Sequence, residues 1–161
     1  MKEIILELID CLRQETARYR NLAQLAGQQK DILVAGRVET LPAHVRLEEK
    51  EVFALGPLIA KRNELLGKMA KSLGLKNLSL TEALKRSPVE FIEDFKKAVI
   101  ELIRSAKQLE QANKTNEKLL DNALSYVQFT LKIIANGGKK RTSYPSVKVE
   151  ENKSTFVNRV V

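Results

Sequence analysis

The 161-residue sequence contains one cysteine, one histidine and no tryptophan. A lone Cys11 cannot close an internal disulfide, which fits a reducing compartment. A lone His44 leaves no Cys/His cluster with metal-ligand spacing and no Ser/His/Asp arrangement. There is no glycine-rich phosphate loop either, so neither catalysis nor a cofactor has a constellation to rest on. Aromatic residues make up 5% of the chain, too few to line a large aromatic pocket. No run approaches the roughly 20 apolar residues of a membrane span. The opening Met1-Lys2-Glu3-Ile4-Ile5 lacks the apolar segment and small-residue cleavage site of a secretory signal. These absences lead us to expect a cytoplasmic protein, neither an enzyme nor stably inserted in a membrane, that works through its surface.

Hydrophobic residues are 43% and charged residues 30% of the chain, and only seven Gly and four Pro interrupt it. That mixture belongs to long helices, and the length fits one domain with a modest core. Three stretches repeat apolar residues at alternating spacings of three and four. The first runs Ile5, Leu8, Leu12, Glu15, Tyr19, Leu22, Ala26, Gln29, Leu33. The second runs Val38, Leu41, Val45, Glu48, Val52, Leu55, Ile59, Arg62, Leu66, Met69, Leu73. The third runs Ile92, Phe95, Val99, Leu102, Ala106, Leu109, Asn113, Asn116, Leu120, Ala123, Val127, Thr130, Ile134. Each pattern places one stripe on one helix face, as left-handed helix packing requires. The single strand-like fragment is Ser146 to Val149.

Local chemistry sets the boundaries. Gly36 and Gly74 can adopt the left-handed conformation past the ends of the first two helices. Pro42 falls in the first turn of the second helix, where its missing N–H is harmless. Gly56-Pro57 lies within that helix and predicts a kink. Ser79 with Glu82 predicts a capped short helix. Ser87 as N-cap, Pro88 at the first helical position and Glu90 reaching back predict the start of the last one. The helices are expected at about 2–35, 39–73, 80–86 and 88–136, followed by a flexible tail at 137–161. The fold class is therefore all-α: an elongated bundle of three long helices running up, down and up, plus one short helix.

At 1.5 Å per residue the last helix spans roughly 70 Å and the first two roughly 50 Å each. About 20 Å of the last helix is then left uncovered. An apolar stripe left exposed over such a length implies pairing with a second copy or with a partner protein. The candidate surface is the end of this helix, Leu120, Val127, Leu131 and Ile134, together with Asn113 and Asn116. The two amides interrupt the stripe. Either they are buried and fix the register of a helix pair, or the stripe rotates there and both face water. The Glu48-Glu49-Lys50-Glu51 run reads as a solvated face rather than paired catalytic carboxylates.

The tail carries six basic and two acidic residues, +4 of the net +8, so the body is nearly balanced. Lys139-Lys140-Arg141 suits a helix C-terminus and is too short, without interleaved aromatics, to predict nucleic-acid binding. Tyr144, Phe156, Val157, Val160 and Val161 place apolar anchors in an otherwise polar segment. That suits folding upon a partner, although docking on the chain's own bundle is the competing use.

The ordered series of features resembles the FlgN-like flagellar export chaperones. It comprises a long first helix, the turn Ala35-Gly36-Arg37-Val38-Glu39, a charged stretch from Arg46 to Glu51, and Asn113, Asn116, Leu119 and Leu120 in an Asn-x-x-Asn-x-x-Leu-Leu pattern. Tyr144 then follows in a turn segment, before the apolar end Asn158-Arg159-Val160-Val161. The resemblance covers almost the whole chain. It implies a chaperone that binds hook-associated proteins in the cytoplasm, keeps them from premature assembly, and delivers them to the type III export apparatus without a cofactor. It also implies client binding by the C-terminal region and docking to the export gate by Tyr144. Family members often carry a Gly after this Tyr, whereas Pro145 follows it here. A homo-oligomeric coiled coil without a client is the alternative.

Overall fold

The computed structural model describes residues 1–135. They form α1 (Lys2–Val34), a 3-10 turn (Val38–Thr40), α2 (Leu41–Ser72), the short α3 (Leu80–Lys85) and α4 (Val89–Ala135), with no strand among the described residues.

The first two helices stop in the same way. Past α1, the Gly36 N–H donates to the Leu33 carbonyl (3.2 Å) and the Arg37 N–H to the Ile32 carbonyl (3.1 Å). Past α2, Gly74 N–H donates to Lys71 (3.1 Å) and Leu75 N–H to Ala70 (2.9 Å). This paired closure needs a left-handed residue after the helix. Gly36 and Gly74 supply it at φ 67° and 70°. α2 runs unbroken through Pro57, so the Gly56-Pro57 pair does not end a helical segment there. α3 starts with a complete capping box between Ser79 and Glu82.

The start of α4 differs from the sequence expectation. The Ser87 hydroxyl donates to the Ala83 carbonyl at 2.8 Å rather than capping α4, and Glu90 pairs with Lys2 at 2.7 Å. A serine hydroxyl readily bonds the carbonyl four residues back. Here that carbonyl belongs to the last turn of α3, so the Ser87 side chain is turned back toward α3, and no backbone N–H of α4 among the described residues donates to it.

α1 is the spine of the bundle. α2 lies antiparallel to it, since Glu15 meets Arg62 and Gln29 meets Glu48. α4 lies parallel to it, since Lys2 meets Glu90, Arg20 meets Glu101 and Ala26 meets Asn116. The core joins Ile5, Leu8, Leu12, Tyr19 and Leu22 of α1 to Leu55, Leu65 and Met69 of α2 and to Phe95, Val99 and Leu102 of α4. Each large apolar side chain buried in this way contributes about 1.5–3 kcal/mol. Leu78 and Ala83 close the lower end of the same cluster.

Two charged side chains sit inside this core. Glu15 and Arg62 are 0% and 2% exposed and meet at 2.8 Å. Burial raises the Glu15 carboxyl above its ordinary value, and Arg62 opposes that rise. Cys11 is also fully buried, with its thiol 3.3 Å from the Leu58 carbonyl. Burial, reinforced by Glu15, pushes the thiol up to about 11. Cys11 is therefore a packing residue with little thiolate at neutral pH.

The start of the second pattern is only partly buried. Its members Leu55 and Glu48 face inward, buried and half-buried, but Val38 in the 3-10 turn and Val45 and Val52 on α2 are exposed, while His44 and Glu51, outside the pattern, turn inward. The polar edge of α1 sets this orientation. Arg18 and Asn21 draw Glu51 inward, Gln29 draws Glu48, and the Leu25 carbonyl accepts from His44 Nε2 at 2.8 Å.

Candidate partner interface

Register determines what remains uncovered. Asn116 and Gln29 are paired across an offset of 87 residues, so the last residue of α1, Val34, is level with residue 121. α4 continues to Ala135, another 14 residues or ~20 Å.

The projecting segment carries a single apolar stripe. Leu120, Leu124, Val127, Leu131 and Ile134 are all exposed, Leu124 at 63% and Ile134 at 70%. Their spacing of four, three, four and three continues the face on which Phe95, Val99, Leu102 and Ala106 are buried. The surface that α1 covers lower down is thus presented bare above residue 121. Leu124 was not among the residues expected at this site. It follows stripe position Ala123 by one residue, and its larger side chain marks the face better. Tyr126 and Ile133 are exposed beside the stripe.

A second apolar patch lies at the same end. Because α2 is antiparallel to α1, its first half sits beside the last turns of α1. With the turn before it, it exposes Val38, Val45, Leu47, Val52 and Phe53, the last at 79%. Sequence pattern alone assigned the three valines to the core. Exposed apolar side chains gathered at one end of a small protein signal an interaction site.

Between these patches and the core lies a polar layer. Asn113 is exposed, whereas Asn116 is 3% exposed. The two amides therefore have different fates. The Asn116 side-chain NH2 donates to the Ala26 carbonyl and to Gln29 Oε1, each at 2.8 Å. Gln29 Nε2 in turn donates to Glu48 at 3.5 Å, and His44 Nε2 lies 3.7 Å from the same carboxylate. Burial raises the Glu48 carboxyl, and the nearby His44 opposes the shift. Asn116 Oδ1 has no hydrogen-bond partner among the described residues. An unsatisfied buried acceptor costs about 1–3 kcal/mol.

Of the partner-binding residues expected from the sequence, Leu120, Val127, Leu131 and Ile134 share the projecting stripe, and Asn113 lies on the surface below it. Asn116 is engaged within the bundle. Tyr144, Phe156, Val157, Val160 and Val161 lie outside the described residues. Among the described residues no group of three or more His, Cys, Asp or Glu could hold a metal ion. No described helix is long and apolar enough to cross a membrane.

No curated protein and no solved structure matches the chain. The family model described as FlgN protein matches residues 1–148, which takes in every described helix. FlgN is a chaperone family and not an enzyme family. With that match over nearly its full length, and with a helical bundle that leaves its last helix bare at one end, the chain belongs to the FlgN family of flagellar export chaperones.

Proposed function

We propose that this protein holds hook-associated proteins in the cytoplasm, prevents their premature assembly, and delivers them to the type III export apparatus. The observation that carries this reading is the bare stripe from Leu120 to Ile134. A subunit awaiting export must have its own apolar helices covered, and a ridge in phase with a helix-packing face fits one of them. The tail beyond Ala135 would add Tyr144, Phe156, Val157, Val160 and Val161 as further anchors.

Two experiments test this. A chain ending at Gly137 is expected to retain its helical circular dichroism and to lose capture of hook-associated proteins in a pull-down. Capture by the shortened chain at full-length levels would exclude a binding role for the tail. Tyr144→Ala is expected to bind these proteins normally and to slow their export in a motility and secretion assay. Normal export by that variant would remove Tyr144 from the delivery step.

A second reading draws on the same stripe. Leu124, Val127, Leu131 and Ile134 keep their spacing when read in reverse, so two antiparallel copies could interdigitate there. A homo-oligomeric coiled coil would keep its mass by light scattering across a wide dilution range and recover only itself from lysate.

A further inference from the structure

The apolar core stops well below the end of the bundle. Its last members are Leu22 on α1, Leu55 on α2 and Leu109 on α4. Above them the three helices are joined by the polar layer: Asn116 to Ala26 and Gln29, Gln29 to Glu48, and His44 to Leu25. Here one continuous run of side-chain hydrogen bonds, from Asn116 to Gln29 to Glu48, crosses from α4 through α1 to α2. It is also where the buried Asn116 Oδ1 is left without a donor. A contact layer that buries little apolar surface and leaves an acceptor unsatisfied opens at a lower free energy than the core beneath it.

We propose that the polar layer centred on Asn116 is a clasp that opens to admit an amphipathic helix of the client. This inference rests on the chaperone reading above. Continuity specifies the occupant. The stripe from Leu120 to Ile134 lies on the same face of α4 that α1 covers below, so a helix seated on the stripe and extending downward runs directly into the end of α1. Opening the clasp lets α1 and the first half of α2 move aside, and the client helix gains length on α4. An apolar residue at position 116 would seal the seam and stabilise the chaperone alone. Asparagine keeps the seam specific in register but weak.

The test compares the full-length protein with Asn116→Leu and Asn116→Ala. Leucine is close in shape to asparagine and leaves no unsatisfied acceptor, while Gln29, half-buried, can turn to solvent. Hydrogen exchange on the chaperone alone is expected to show residues 27–34, 41–53 and 113–121 exchanging at least about tenfold faster than 5–22 and 95–109. Asn116→Leu is expected to slow exchange in the upper segments and to weaken capture of purified hook-associated proteins about tenfold. Asn116→Ala is expected to speed exchange there and to bind at least as well as the parent. Uniform protection up to residue 121 in the parent would overturn the clasp. So would undiminished capture by Asn116→Leu once its exchange has slowed. Failure of the parent itself to capture these proteins would instead overturn the chaperone reading on which the inference stands.

Discussion

Replacing Leu124, Val127 and Leu131 together by glutamine is expected to weaken client binding by at least about 100-fold while shifting the chaperone's own melting temperature by only a few degrees. The two effects separate because the side chains are exposed in the free protein. Surface substitutions away from special features usually stay within about 0.5 kcal/mol, and glutamine keeps a good helix propensity. In a complex each of the three would be buried, and a fully buried aliphatic side chain contributes about 1.5–3 kcal/mol. Summed over three positions that is at least about 4.5 kcal/mol, well above the ~2.7 kcal/mol that corresponds to 100-fold. Titration calorimetry with a purified hook-associated protein checks the affinity, and a thermal melt checks the fold. An unchanged affinity would move the client off the projecting end of α4.

The second large effect concerns stability. Arg62→Met is expected to destabilise the bundle by about 3–5 kcal/mol, because it leaves the Glu15 carboxylate buried without its partner. Joining it with Glu15→Leu is expected to return most of that loss, since an apolar pair of similar volume needs no desolvated charge. The single variant should also show a characteristic pH dependence. Burial already raises the Glu15 carboxyl above its ordinary value of 4.5, and loss of Arg62 removes the opposing influence. In that window the folded state binds more protons than the unfolded state. Stability is therefore held at and below pH 4.5 and declines as pH rises through the folded-state value. Urea unfolding of the single and double variants at pH 5 and pH 7 measures both points. If the double variant were as unstable as Arg62→Met, the loss would come from packing rather than from an orphaned charge.

Much of the fold was legible in the sequence because helix periodicity and helix stops are local. In α1 the positions from Ile5 to Ala26 are buried as the spacing requires, and in α4 Phe95, Val99, Leu102 and Ala106 are likewise. Gly36 and Gly74 end their helices through the positive φ that only glycine adopts cheaply. The uncovered end of α4 followed from length alone. Periodicity failed in the first half of α2 because it identifies which face is apolar, not whether that face has a neighbour. There His44 and Glu51, outside the pattern, join Glu48 in facing the polar edge of α1, while Val45 and Val52, with Val38 in the turn before the helix, stay outside. Ser87 does not cap α4 because its side chain turns back to α3, where the hydroxyl donates to the Ala83 carbonyl. The fate of Asn116 needed the register of α1 against α4, a relation across 90 residues that no local pattern encodes.

The projecting end of α4 also has a kinetic and entropic consequence. An isolated helix of 14 residues is marginal in water because its first turn must nucleate. This segment needs no nucleus: it extends a helix already held by packing below, so each further residue adds only a propagation step. The last turns can fray, yet the ridge exists before any client arrives. A client that meets a pre-organised ridge loses only its own conformational freedom on binding, which reduces the entropy opposing the complex. The part of the molecule that does least for its own stability is thus held in shape by the part that does most.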